Sequence, residues 1–76
     1  MVNIDWPAHV KGLLKAELKR RNVGYRELAE KLTALGVPES EANIKNKISR
    51  GGFTAVFMFQ CLVAIGSKSV QITLDE

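Results

Sequence analysis

The chain has little of what catalytic centres are built from. Its 76 residues include one cysteine, one histidine, one tryptophan and one tyrosine. A lone Cys61 closes no internal disulfide, and a lone His9 completes no metal site. No paired carboxylates, phosphate-cradling glycine loop or nucleophile-base arrangement stands out, so neither an enzyme nor a cofactor is expected. Long apolar runs are also missing. The longest, Phe53–Ile65, is too short to cross a bilayer and is interrupted by Gln60. The opening MVNIDWP has neither the basic nor the apolar region of a signal peptide. No membrane partner is expected, and a reducing cytoplasm is the expected compartment.

What is present is charge, unevenly placed. The net charge of +3 comes from 11 Lys and Arg against 8 Asp and Glu. Between His9 and Arg21, Lys11, Lys15, Lys19, Arg20 and Arg21 face a single acid, Glu17. From Asn43 to Lys68 there are cations and no acid. Such blocks suit an anionic partner, although lysine-rich faces also serve plain solubility. An apolar fraction of 46% is that of a folded chain, and the length allows one domain with one core.

The periodicity predicts four helices, at about 7–21, 25–35, 40–50 and 54–65, in one domain spanning residues 1–76. In the first, Val10, Leu14 and Leu18 recur every four residues beside a row of Lys11, Lys15 and Lys19. Asp5-Trp6-Pro7 is its entry, and Asn22 a left-handed stop. Gly24 opens the second helix and Gly36 ends it, while Ser40 and Thr54 cap the third and fourth. The fourth, AVFMFQCLVAI, is apolar on almost every side, which predicts burial all round and surplus apolar surface for a second subunit. Val70, Ile72 and Leu74 alternate with polar residues, predicting a strand at about 70–74, with Val2–Ile4 as one pairing edge.

The segment NIKNKISRGG, residues 43–52, carries the functional expectation. On a helical wheel Ile44 and Ile48 share one side, while Asn43, Asn46, Lys47 and Arg50 fall within an arc of about 100° elsewhere. Asn pairs with adenine N6 and N7, and Lys or Arg with guanine O6 and N7 or with phosphate. Arg50, in the last turn, suits a phosphate or the helix end. Lys45 lies off the arc and adds charge to the same helix. An ordinary solvated helix face has the same composition.

The order of elements adds to this. Val23, the cap Gly24, ELAEKL at Glu27–Leu32, Arg50-Gly51 after the third helix, and the Thr54-capped helix ending in Ile65-Gly66 together resemble the λ-repressor/Cro (XRE-type) helix-turn-helix domain. The resemblance covers about residues 10–66. Two features depart from that pattern: Thr33-Ala34-Leu35 delays the turn glycine, and the stretch from Gly36 to Arg50 is longer than usual. The chain also resembles small bacterial domains carrying KGLLKAELKRR, ELAEKL and NIKNKISRG, which have no established function.

The resemblance implies an all-α, four-helix λ-repressor-like domain of bacterial or phage type, acting as a small transcriptional regulator that binds double-stranded DNA. Its third helix enters the major groove, with Asn43, Asn46, Lys47, Arg50 and Lys45 as candidate contacts. Tyr25 and Arg26, at the start of the second helix, become candidate backbone contacts, and Lys19, Arg20 and Arg21 lie near the duplex or in solvent. A homodimer through the fourth helix or the C-terminal strand is expected. The other reading is a protein-interaction module, antitoxin-like or an adaptor, using those same two elements. Among single residues, Cys61 reads as a small buried hydrophobe, His9 as a surface residue, and Trp6 as an anchor for the N-terminus. Phe53, Phe57 and Phe59 read as core or interface.

Overall fold

The computed structural model describes residues 3–72, which form four helices: α1 (Trp6–Arg20), α2 (Tyr25–Ala34), α3 (Glu41–Arg50) and α4 (Ala55–Ala64). Each begins at the expected cap. The Asp5 carboxylate accepts from the Ala8 N–H at 3.1 Å, the Ser40 hydroxyl from Asn43 at 3.1 Å and the Thr54 hydroxyl from Phe57 at 3.0 Å. Gly24 caps α2 without a side chain, so no side chain satisfies the first N–H groups of that helix. The observed boundaries fall within a residue or so of the expected ones; terminal residues such as Arg21, Leu35 and Ile65 act as caps.

Three helices close in the same way. After a left-handed residue (Asn22, Gly36 or Gly66), the next N–H bonds back to a buried leucine carbonyl. Val23 donates to Leu18, Val37 to Leu32 and Ser67 to Leu62, each at 2.9 Å. This joins the helix stop to the core, because Val23 and Val37 pack against the same cluster as the leucines they bond. Leu14, Leu28, Leu32, Ile44, Ile48 and Cys61 are fully buried, ringed by Leu18, Phe57, Leu62 and Ile65. α3 and α4 each pack against both α1 and α2, so all four helices share this one core. Each buried Leu or Ile stabilises the fold by about 1.5–3 kcal/mol.

Several expectations are corrected. α4 is not buried all round. Phe57, Cys61 and Leu62 point inward, but Val56, Phe59 and Val63 are 65%, 66% and 61% exposed. Two neighbouring helices, α1 and α2, cannot enclose a whole helix. Trp6 is 57% exposed rather than a packed anchor, meeting only the His9 ring edge-on at 5.8 Å. His9 is half-buried rather than on the surface. The C-terminal strand does not form over its described part, Val70–Ile72, and Asn3–Asp5 is not a strand either. A strand needs a hydrogen-bonded neighbour, and the described chain has no other extended edge to supply one. Val70 instead packs on the core. Val2, Thr73 and Leu74, which also belonged to those expected strands, lie outside the described residues.

Gly51 has two independent reasons to be glycine. It takes φ +73 at the end of α3, and a Cβ there would lie 2.6 Å from the Pro7 carbonyl oxygen. The turn at Gly51 brings the end of α3 against the start of α1. Gly36 also has a positive φ, +85, yet stands in open surroundings. Gly36→Ala should therefore cost about 1 kcal/mol, for the backbone conformation alone. Gly51→Ala should cost on the order of 2–4 kcal/mol, since the α1–α3 contact must also shift. Urea unfolding of both variants measures the difference.

Candidate nucleic-acid interface

The burial of Ile44 and Ile48 orients α3. Directly opposite their mean direction lies Asn46, with Arg50 and Asn43 within about 60° of it on one side and Ala42 and Ser49 on the other. Asn43, Asn46 and Arg50 are exposed, and their side chains make no hydrogen bond or ion pair with other described residues. Lys45 and Lys47 sit symmetrically, each about 100° from Asn46 on opposite flanks.

The flanks differ in what they touch. The Lys47 ammonium is 2.7 Å from Glu39 Oε2 and 4.8 Å from the centre of the Phe57 ring. It therefore ties the α2–α3 connection to α4, with a charge-assisted bond and a cation–π contact. Lys45 is exposed and has no ion pair among the described residues. Lys47 is thus engaged by contacts within the chain, and Lys45 is the freer cation of α3. Wheel angles alone missed this because Glu39 and Phe57 belong to other elements.

The basic residues of α1 are sorted likewise. Lys11 donates to the Ser49 carbonyl at 3.1 Å, satisfying an orphan acceptor near the end of α3. Lys15 and Lys19, one and two turns further on, line a shallow groove of about 220 Å³ together with Gly24 and Tyr25. The lysine row therefore runs from the last turn of α3 to the first turn of α2. Arg26 is exposed, whereas Tyr25 is half-buried against the core.

Arg20 and Arg21 are engaged elsewhere. Arg20 Nη2 lies 2.7 Å from both oxygens of Glu17, and Arg21 Nε is 3.2 Å from Oε2. Ser67, beyond α4, donates its hydroxyl to Oε2 at 2.7 Å. Glu17 is 7% exposed and is the only buried charged residue among those described. The spacing Glu17, Arg20, Arg21 is legible in the sequence as helical pairing at i+3 and i+4, but no local signal identifies Ser67 as the fourth member. The Arg20 hydrogen bonds, helped by those of Ser67 and Arg21, outweigh desolvation and lower the Glu17 pKa to about 2.

The remaining candidates carry no evident chemistry. Burial pushes the Cys61 thiol up to about 12, so it stays protonated and inert, as a small core residue should. Among the described residues no group of His, Cys, Asp and Glu has a metal-binding arrangement, and no helix is long and apolar enough to cross a membrane.

This is an all-α, four-helix domain in which α3 exposes an amide-and-arginine face and α1 carries a row of lysines. The family described as "Domain of unknown function (DUF6471)" matches residues 6–70, and the chain belongs to that family. No curated protein and no solved structure matches it.

The Glu17 cluster predicts a pH dependence. Its folded pKa lies below the ordinary value of 4.5, so its contribution is complete above pH 4.5 and is lost as pH falls toward 2. Wild type should be more stable than Glu17→Gln at pH 7 by a gap that holds down to pH 5 and closes between 4.5 and 2. Thermal unfolding of the pair across that range measures it.

Proposed function

We propose that this domain binds double-stranded DNA with sequence preference, inserting the outer face of α3 into the major groove in the manner of a λ-repressor/Cro-type regulator. The observation that carries the reading is the α3 face itself. Asn46 is central, Asn43 and Arg50 flank it, all three are exposed and unpaired among the described residues, and no acid follows Glu41 in the helix. Asn43 and Asn46 supply the donor and acceptor geometry that reads adenine, while Arg50 and Lys45 contact guanine or phosphate.

The row through Lys15 and Lys19 supports the same reading. It brings mobile positive charge beside the start of α2, where Gly24 leaves backbone N–H groups without a side-chain cap and Arg26 is exposed. These groups suit phosphates, which fix register without specifying sequence. The connection between α2 and α3, residues 35–40, is longer than the turn of three or four residues usual in a helix-turn-helix. The Glu39–Lys47 pair braces that longer connection against α3.

Selection from random duplexes followed by mobility shifts tests the reading. Asn46→Ala should cost on the order of 1–3 kcal/mol on the selected site and relax its preference. Lys15→Ala and Lys19→Ala should weaken all duplexes alike, each reducing the salt slope by about 1. Absence of a shift at micromolar protein in low salt, or binding unchanged by the combined replacement of Asn43, Asn46 and Arg50, would overturn the assignment.

A further inference from the structure

A second concavity lies away from α3. A groove of about 770 Å³ runs between α1 and α4 and is closed at one side by residues 67–72. Met58, Leu62 and Phe53 line it, and Trp6, Phe59 and Val63 border it with more than half of their surfaces exposed. Ile72, at the far wall, is 72% exposed. We infer that this groove is a self-association surface, and that its occupant is the same face of a second copy of this chain.

Three observations select a second copy. The first is area. The exposed parts of Trp6, Phe59, Val63 and Ile72 present roughly 500 Å² of apolar surface, with aromatic side chains taken at about 200 Å². Two such faces together reach roughly 1,000 Å², what a specific interface must clear, before the half-buried walls are counted. One such face is the size of the largest apolar patch on an ordinary monomer, and such patches often mark interaction sites.

The second is shape. Projecting rings and the space to receive them lie on one face, which is what an isologous twofold contact requires. A two-fold axis lets Phe59 and Trp6 of each copy enter the groove of the other.

The third is charge. Lys68 is the only Lys, Arg, Asp or Glu among the residues lining the groove. A chain of net charge +3 meets least repulsion from its own copy there, because the cations of α1 and α3 lie elsewhere. A charged peptide finds no counterpart.

The surface differs from a dimer built on α4 and a C-terminal strand. The start of α1 supplies one wall, and residues 67–72 supply the other without strand pairing. That second wall is held to α1 by the Ser67–Glu17 bond, which makes Glu17 and Ser67 positioning residues for the interface.

Sedimentation equilibrium of the whole chain without DNA tests this, so the outcome does not depend on nucleic-acid binding. Mass should rise with concentration from 8.4 kDa toward twice that value. Phe59→Asp or Val63→Asp should weaken association by at least about thirtyfold, as loss of a buried anchor does. Both positions are exposed in the single chain, so helical circular dichroism at low concentration should not change. Leu35→Asp, an exposed apolar position outside the groove, should leave association unchanged. Ser67→Ala should weaken it without loss of helix. A monomeric mass up to millimolar concentration overturns the inference. So does a dimer indifferent to Phe59→Asp and Val63→Asp, or a chain that stays monomeric while its groove takes up an unrelated amphipathic peptide.

Discussion

The burial of Ile44 and Ile48 is the constraint on which the rest depends. Both are completely withdrawn from solvent, four residues apart, against leucines of α1 and α2. Two such contacts leave a helix of three turns no freedom to rotate about its axis. Every other side chain of α3 then has an assigned direction: Asn46 straight out, Lys45 and Lys47 to the sides. Gly51 adds the position along the axis, since α3 can end against the Pro7 carbonyl only where no Cβ intervenes.

The cations divide between two tasks. Lys11, Arg20, Arg21 and Lys47 spend their charge inside the molecule, on the Ser49 carbonyl, the Glu17 carboxylate and Glu39. Lys15, Lys19, Lys45, Arg26 and Arg50 form no ion pair among the described residues. The net charge of +3 is unevenly placed, because the cations without an ion pair among the described residues lie mostly on α1 and α3. The family model itself assigns no function.

The apolar residues are similarly unequal. One set encloses the shared core and the other lines the groove between α1 and α4, so the two faces of α4 have different roles. The amide face of α3 and the apolar face of α4 belong to different helices that pack on the same pair, α1 and α2. A cluster around Glu17 links the end of α1 to the segment after α4, and so to the wall of that groove.

Local signals read correctly wherever the physics is local. Asp5, Ser40 and Thr54 cap the helices, Asn22, Gly36 and Gly66 end them, and Leu14, Leu18, Leu28 and Leu32 mark the buried stripes, because capping and periodicity act over three or four residues. By itself the sequence determined four helices, their approximate bounds and the inward side of α3. Only the tertiary structure decided that Lys47 turns to Glu39 and Phe57, that Ser67 completes the Glu17 cluster, that Gly51 meets Pro7, and that Val70–Ile72 has no strand to join. Each of those contacts joins residues from different elements. Their partners are chosen by how four helices share one core, and no periodicity within a single helix contains that information.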